Sequence, residues 1–416
     1  MNTLRRLGML CLWLPATTTI AAGCLGDPSS DSSSETQTEL AQDRVGQTRY
    51  EIIDLGINNS ADNFSMAMGL NQQGWTENMD GTVNPPENSL LTTVSRGRAV
   101  ISIYGLNIDL GTLGKPDANS WINWGGINDA GEAVGMSETA NPDPNGEDIC
   151  GFGTHLTCVP FFWRTGHMSA LPTVGGNNGQ ASAINNPGDV VGFSETASAD
   201  PTCPPAPSEV PVLWTNSTDH RAHALPLVDS DPDGVAFGVN DHGQAVGYSG
   251  TCSAATHAVT WKNNTVVTLQ DLGVASSNIA FVINNRGQIA GEVRSADNST
   301  SVAALWDADG NLTNLGVLPG DASAFATGIN DQGQVVGNNF NADSDWSHGF
   351  LWQNGAMTDI NALIPADSNL SVISASNIND VGQISGMATV RSGPYAGTIH
   401  AYLAIPAPGR VGKAER

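Results

Sequence analysis

The chain has 416 residues, 14% of them charged, and a formal net charge of −25. A surface this acidic repels phosphate polymers at long range, which excludes nucleic acid as an expected partner. Glycine contributes 47 residues, and no long stretch after the N-terminus has apolar residues at helical spacing, so the composition favours an all-β protein with many turns.

Residues 1–23 have the parts of an export signal. Arg5 and Arg6 form its positive region, and "LGMLCLWLPATTTIAA" is an apolar region too short and too broken to span a bilayer permanently. It ends in "AAGC" at 21–24, which resembles the bacterial lipobox, where cleavage precedes a lipid-modified cysteine. By that resemblance Cys24 becomes the acylated first residue; the alternative is an ordinary secretory signal cut nearby. Loss of the two arginines changes the formal charge to −27.

The rest of the chain divides into three parts. Residues 24–47 are rich in Ser, Thr, Asp and Glu and have little to bury, which predicts a disordered tether to a membrane surface. Residues 48–405 form the predicted folded domain, and 406–416 a C-terminal tail.

Four cysteines remain after the signal and the lipidation site are set aside. An even number in an exported chain indicates two disulfides. Cys150 and Cys158 bracket one short loop, so we predict that they pair with each other. Cys203 and Cys252 then form the second disulfide.

A ten-residue hairpin recurs throughout the folded domain. Clear copies are "GINDAGEAVG" at 126–135, "GVNDHGQAVG" at 238–247 and "GINDQGQVVG" at 328–337. Aligned on its asparagine, the hairpin occurs seven times at spacings of 44 to 57 residues, near the length of a propeller blade. The seven asparagines, which define repeats 1 to 7, are Asn71, Asn128, Asn185, Asn240, Asn284, Asn330 and Asn379.

Each repeat predicts four short antiparallel strands separated by glycine turns. Within 321–360, "ASAFATGIN" is the first strand, "QVVGNNF" the second, "SHGFLW" the third and "AMTDI" the fourth. The third strand ends in tryptophan in five repeats, and such a periodic aromatic is typical of a core position. We therefore predict packing roles for Trp163, Trp214, Trp261, Trp306 and Trp352, with Ser102 in the same position of repeat 1.

The two ends of the domain complement each other. "RYEIIDLG" at 49–56 predicts a fourth strand with no repeat before it, and "IHAYLAIP" at 399–406 a third strand with no fourth after it. Their pairing completes one blade and removes two exposed edges. The sequence therefore predicts a seven-bladed β-propeller of four-stranded antiparallel blades, closed by the N-terminal strand joining the last blade.

The combination of "IND-x-G-Q-V-V-G", "H-A-F-L-W" and "DLG" is similar to the bacterial extracellular HAF repeat family. The resemblance extends over nearly all of 49–405. It implies an exported repeat domain, thought to be a propeller, without an agreed biochemical activity. It supplies no catalytic residues.

Strand order predicts two unlike faces. The turns between first and second strands and between third and fourth strands are tight and share one side, which we call the hairpin face. The longer connections, such as 137–158 and 194–209, share the opposite side, which we call the loop face. Variable loops on a rigid scaffold commonly carry binding function, so the loop face is the expected binding surface. The alternative is that these loops are tolerated insertions.

Four aromatic residues are candidate ligand contacts. Trp121 and Trp124 precede the second hairpin, Trp346 precedes a third strand, and Tyr395 lies in the last long loop. Exposed aromatic faces suit sugar rings or apolar partners. The alternative for Trp124 is burial within the first strand.

Evidence for catalysis is weak. His155, Tyr248, Arg294 and Arg391 are expected in loops of the loop face, and such a grouping suggests a polysaccharide lyase only by fold-level analogy. His257, His348 and His400 share one strand position and are expected to be structural. No GxSxG, HExxH, CxxCH or P-loop motif is present. The sequence leaves open whether the protein is an enzyme and favours a binding role.

No cofactor or metal is predicted. The Asn-Asp pairs of the hairpins match a three-residue turn with a glycine bulge. Calcium held by acidic stretches such as "NPDPNGED" at 141–148 is an unspecific alternative.

The expected function is that of a monomeric, lipid-anchored binding module in the bacterial envelope, for an extracellular polymer or protein. The alternatives for its activity are a propeller-type lyase or hydrolase and a structural cell-surface protein. The alternative for its location is a periplasmic or secreted form.

Overall fold

A computed structural model describes residues 49–59, 61–83, 94–200, 202–203, 206–217, 219–252, 254–273, 277–295, 299–342 and 346–407. The expected signal, the tether and the lipidation site Cys24 lie outside these residues. Within the described part of the chain, no helix has the length and apolarity needed to cross a membrane.

The described residues form an all-β structure, as predicted, with one short 3-10 helix at Ile360–Ala362. β1 (Tyr50–Gly56) precedes the strands of repeat 1, which are β2 (Phe64–Leu70), β3 (Trp75–Val83), β4 (Val94–Ile103) and β5 (Leu106–Asp109). The strands of repeats 2 and 3 are β6 (Ser120–Ile127), β7 (Ala133–Pro142), β8 (Leu156–Arg164), β9 (His167–Ala170), β10 (Gly179–Ile184), β11 (Val190–Ala199), β12 (Pro207–Trp214) and β13 (Ala222–Ala224).

The strands of repeats 4 and 5 are β14 (Asp233–Val239), β15 (Ala245–Thr251), β16 (Ala254–Lys262), β17 (Thr265–Thr268), β18 (Asn278–Ile283), β19 (Ile289–Arg294), β20 (Ser301–Trp306) and β21 (Leu312–Gly316). The strands of repeats 6 and 7 are β22 (Ser323–Ile329), β23 (Val335–Phe340), β24 (Trp346–Gln353), β25 (Ala356–Asp359), β26 (Leu370–Ile378), β27 (Ile384–Val390) and β28 (Ile399–Pro406). In each of repeats 1 to 6 the four consecutive strands pair antiparallel in chain order. The prediction of four-stranded antiparallel sheets is therefore confirmed.

Repeat 7 has three strands of its own and obtains a fourth from the N-terminus. β1 pairs antiparallel with β28, from Tyr50 opposite Pro406 to Asp54 opposite Tyr402. Pro406, assigned to the tail from the sequence, is thus the last residue of a strand. A single parallel bridge between Phe64 and Ile399 joins β28 to β2 of repeat 1.

The recurrent hairpin is held by its own asparagine. In repeat 6, Asn330 Oδ1 accepts hydrogen bonds from the backbone N–H groups of Gln332 and Gln334, at 3.1 and 3.0 Å. Gly333 lies between these two residues with a φ of +77°, a conformation that favours glycine. The motif therefore specifies the turn through an asparagine acceptor and a left-handed glycine.

The same asparagines also join neighbouring repeats. Each Nδ2 donates to the backbone carbonyl oxygen of the asparagine in the next repeat, at distances between 2.9 and 3.2 Å. The series starts at Asn71 and ends with Asn379, whose Nδ2 donates to the carbonyl oxygen of Asn71 at 3.0 Å. Each asparagine thus fixes its own turn and binds the next one.

The tryptophans of the third strands are packing residues, as predicted. Trp214, Trp261 and Trp306 have almost no exposed surface. Their indole N–H groups donate to carbonyl oxygens in the segment that follows the preceding repeat's fourth strand, at 2.6 to 2.7 Å. Trp163 is buried and Trp352 is partly buried against the core. Trp214, Trp261 and Trp306 therefore also hold their repeats against the preceding repeats.

Repeat 1 departs from the pattern inside its second strand. Glu77 lies opposite Gly69 and Ile101, the position that Val336 occupies in repeat 6 opposite Gly328 and Leu351. The Glu77 side chain is fully buried, and neither carboxyl oxygen has a hydrogen-bond partner within the described residues. Burial raises the pKa of this carboxyl well above its usual range.

Candidate functional site

Two disulfides brace the loop face, as predicted. Cys150, in the connection from β7 to β8, is bonded to Cys158, the third residue of β8. Cys203, between β11 and β12, is bonded to Cys252, between β15 and β16, so the second disulfide joins repeats 3 and 4. Cross-links of this kind restrict the conformations of the loops that they join.

The connection from β7 to β8 lies over the centre of the loop face. Ile149 packs against an apolar cluster of repeats 1 and 2 and also against the cluster that contains Phe237, Phe281 and Phe325 of repeats 4 to 6. Because Ile149 contacts both clusters, it must lie between the strands of repeats 1 and 2 and those of repeats 4 to 6. This loop therefore covers the space enclosed by the first strands on that side.

Trp121 and Trp124 both lie in β6 rather than in a loop. Trp121 is buried, with its ring 6.0 Å from Phe152 in an edge-to-face contact. Trp124 is partly buried and lies 5.5 Å from Phe281 of repeat 5 and 6.2 Å from Phe325 of repeat 6. The Trp121 ring is thus not where a ligand would reach it, whereas Trp124 extends across the centre of the molecule.

Tyr395 is the most accessible of the predicted aromatic contacts whose side chains are described. Its side chain is 55% exposed and its ring lies 5.4 Å from that of His400. The nearby Arg391 donates to the carbonyl oxygens of Ala366 and Ser368, at 3.4 and 3.3 Å. Trp346 is the first residue of β24, and its side chain lies outside the described part of the structure.

Two of the four catalytic candidates are buried in strands, which corrects their expected place in loops. Tyr248 lies in β15 against Phe237, and burial raises the pKa of its phenol well above the usual range. Arg294 lies in β19 with Nε 3.3 Å from Glu292 Oε1, and burial lowers the pKa of Arg294 to about 10. The second strands extend further than the sequence indicated, so these side chains serve the core.

The other catalytic candidates bind backbone. His155 Nδ1 lies 2.9 Å from the carbonyl oxygen of Gly146 in its own loop, and Arg391 makes the contacts given above. The four candidates belong to four different repeats, 2, 4, 5 and 7. The hydrogen bonds of His155, Arg294 and Arg391 described here go to residues outside this group of four. The structure therefore does not assemble them into an acid–base pair.

The three strand histidines have partners in other segments of the chain. His257, His348 and His400 place Nδ1 3.2, 2.9 and 2.8 Å from carboxyl oxygens of aspartates outside their own strands. The partners are Asp231, Asp321 and Asp54, respectively. These contacts join third strands to the connections that precede β14 and β22 and to β1, which fits the structural role expected for the histidines.

Buried carboxyl groups connect the loops of repeats 2 and 3. Asn178 Nδ2 donates to Asp143 Oδ2 at 2.9 Å and to Glu195 Oε2 at 3.0 Å. Burial, together with the charge of Glu147, raises the pKa of Glu195 to about 8. Asp143 also accepts from the backbone N–H groups of Asn145 and Glu147, so the acidic stretch at 141–148 uses its buried oxygens to order its own loop.

A second series of hydrogen bonds surrounds the centre of the hairpin face. In every repeat, the backbone N–H of the residue after the asparagine donates to a side-chain oxygen of its counterpart in the next repeat, at 2.7 to 2.9 Å. The residues of this axial rim are Gln72, Asp129, Asn186, Asp241, Asn285, Asp331 and Asp380. Four carboxylates and three amides therefore lie together at the centre of the hairpin face.

The axial rim opens into a cavity of about 160 Å³. Its walls are the inner ends of the first strands and the hairpin asparagines, and its inner end includes Trp124 and Phe281. We call this space the axial cavity. It is a concave site made of one element from every repeat.

A two-residue insertion explains the position of Trp124. In repeat 6, Thr327 and Gly328 occupy the bulge opposite Val336, between the pairs of Ala326 with Gly337 and Ile329 with Val335. In repeat 2, four residues at 123–126 occupy the corresponding interval. The extra length lets the strand leave its ladder, and Trp124 then reaches the rings of repeats 5 and 6. The sequence indicates this insertion, because repeat 2 has "INWGGIN" at 122–128 where repeat 6 has "ATGIN" at 326–330.

No protein-family model and no curated protein matches the chain. Among solved structures it is similar to virginiamycin B lyase from Staphylococcus aureus, with 7% identity, coverage of 85% of this chain and 99% of that chain, and a TM-score of 0.48. For puromycin hydrolase the identity is 12%, the coverages 81% and 53%, and the TM-score 0.43. For Trypanosoma rangeli sialidase they are 10%, 86% and 58%, and 0.36. A TM-score below 0.5 at such identity does not establish a shared fold, ligand or activity.

Proposed function

We propose that the chain is an exported seven-bladed β-propeller that acts as a binding module for an extracellular polymer or protein. The hydrogen bonds that run from Asn71 through successive repeats to Asn379 and back support seven blades in a ring. The pairing of β1 with β28 supports closure by the N-terminal strand. A ring of this kind leaves no unpaired outer strand at the junction of its two ends.

The observation that carries the binding function is the loop face with its two disulfides. Cross-linked loops on a rigid scaffold present a fixed surface, which lowers the entropy lost on binding. Tyr395 supplies an exposed aromatic contact on this side. The buried positions of Tyr248 and Arg294 favour a binding role over a lyase or hydrolase.

The direction of β1 favours an outward-facing loop face. Tyr50, the first residue of β1, pairs with Pro406 at the hairpin-face end of β28. A tether formed by 24–47 would therefore join the domain on its hairpin face. With a lipid on Cys24, the loop face would be directed away from the membrane.

Binding by the loop face predicts that the purified chain recognises a ligand on glycan or protein arrays. Tyr395→Ala should then weaken binding about tenfold, because an aromatic contact is lost. Tyr104→Ala is the matched control, since Tyr104 is 49% exposed on the hairpin face. Product formation from a polysaccharide panel would instead support an enzyme, and neither binding nor turnover would support a structural surface protein.

Lipid anchoring predicts that Cys24→Ala moves the mature protein out of the membrane fraction. The wild-type chain in the same cells is the control, and fractionation with immunoblotting is the measurement. A variant that stays in the membrane fraction would contradict the anchor without affecting the binding proposal.

A further inference from the structure

The rim of the axial cavity carries carboxyl oxygens that the protein does not use. In each rim aspartate one oxygen accepts the N–H of the preceding repeat. The second oxygen of Asp241 accepts from Asn186 and Asn285, and that of Asp380 accepts from Gln72. The second oxygens of Asp129 and Asp331 have no protein donor within the described residues. The opening is thus negative and retains free acceptors.

The opposite end of the cavity is aromatic. Trp124 and Phe281 line it, in edge-to-face contact at 5.5 Å. Aromatic faces attract cations, and the attraction grows as water is excluded. Carboxylates alone at a turn would point to no ligand, but here they surround a cavity whose other end also favours positive charge.

The spacing of the carboxylates disfavours a bare metal ion. Calcium takes six to eight oxygens at about 2.3–2.6 Å. Within the described residues, the one group of three His, Cys, Asp or Glu side chains whose ligand atoms lie within 4.8 Å of one another is Asp200 with Cys203 and Cys252, and these sulfurs are bonded to each other. No three carboxylates of the axial rim are therefore close enough to coordinate one ion together, whereas an organic ammonium group is larger and needs no short bonds.

We propose that the axial cavity binds a small organic cation, with its ammonium group between the carboxylates of the rim and the ring of Trp124. This site is separate from the loop face, and it would remain if the loop face bound nothing. Binding weakens with added salt, because part of the attraction is between charges open to solvent.

Calorimetric titration of the full chain with choline at low ionic strength tests the proposal. Choline should give saturable binding, and dimethylbutanol, its uncharged isostere, should give at least about tenfold weaker binding. Equal binding of the two compounds, or no binding of choline, would overturn the proposal. So would displacement of choline by calcium chloride at matched ionic strength.

Two variants locate the site. Asp129→Asn with Asp331→Asn removes two charges but keeps a side-chain oxygen for the rim hydrogen bonds, since asparagine already occupies this position in repeats 3 and 5. We expect choline affinity to fall at least about tenfold. The matched control is Asp219→Asn with Asp309→Asn, which removes two exposed charges from other turns of the same face. Equal affinity in the two double variants would overturn the assignment.

Trp124→Leu tests the aromatic end and should weaken choline binding about tenfold. Its thermal unfolding is measured in parallel, because the side chain also packs against Phe281 and Phe325. If this variant does not fold, the rim variant decides. A folded Trp124→Leu with wild-type affinity would exclude the aromatic contact and overturn the proposed site.

Discussion

Replacing Glu77 with valine should stabilise the protein, and the gain should grow as the pH rises. The carboxyl is fully buried without a partner, in a position that valine fills in repeat 6. An unsatisfied buried polar group costs about 1–3 kcal/mol even when it is neutral. A valine there removes that cost and places apolar atoms beside Ile101 of the neighbouring strand.

The pH dependence follows from the raised pKa of Glu77. Below pH 4.5, the ordinary value, both folded and unfolded states hold the proton and no pH-linked penalty exists. Above it the unfolded chain releases the proton first, so the stability of the wild type falls by about 1.4 kcal/mol per pH unit until the folded state also ionises. The difference in unfolding free energy between Glu77→Val and wild type should therefore widen from pH 4 to pH 8.

Chemical denaturation at several pH values measures this difference. Glu51→Val is the control, because it makes the same substitution at an exposed residue of β1. A Glu77→Val variant less stable than wild type at pH 8 would show that the buried carboxyl has a partner or a role that we have not identified.

Deletion of residues 48–56 should abolish the single cooperative unfolding transition. The deletion removes Tyr50 and Leu55, both buried, and the Asp54 carboxylate 2.8 Å from His400 Nδ1. Each large buried side chain contributes roughly 2–5 kcal/mol, so the loss is comparable with the whole stability of a typical domain. β28 would also gain an unpaired edge, which favours aggregation.

Calorimetry and light scattering detect both effects. Deletion of 26–43 is the control, because it shortens the predicted tether and leaves β1 intact. A soluble 48–56 deletion with one sharp transition at the wild-type temperature would contradict the proposed closure of the ring.

Much of the fold could be predicted because the local sequence of each repeat indicates where its strands and turns lie. Alternating apolar residues, the Asn–Gly hairpins and the buried tryptophans depend on local pattern, and local pattern is what a sequence displays. The axial rim was not predicted, because its hydrogen bonds join residues 44 to 57 positions apart around most of the circuit. Taken one hairpin at a time, the Asp, Asn or Gln that follows each asparagine has the identity of an ordinary turn residue.

Individual side chains were harder to place than strands. Tyr248 and Arg294 were expected in loops, whereas β15 continues through Ser249 and Gly250 to Thr251 and β19 continues to Arg294 itself. Trp124 required knowing that two inserted residues bulge toward the centre rather than toward solvent. Both cases depend on what surrounds a strand in three dimensions.

The asparagine circuit makes the hairpins interchangeable. Each asparagine gives one hydrogen bond to the next repeat and receives one from the repeat before, so every hairpin presents the same two complementary sides. One substitution of an asparagine therefore disturbs two neighbours, whereas exchanging whole hairpins between repeats preserves the bonds of this asparagine series. The uniformity of "GINDQGQVVG" and its copies is thus explained by the need of each hairpin to match the hairpins of both neighbouring repeats.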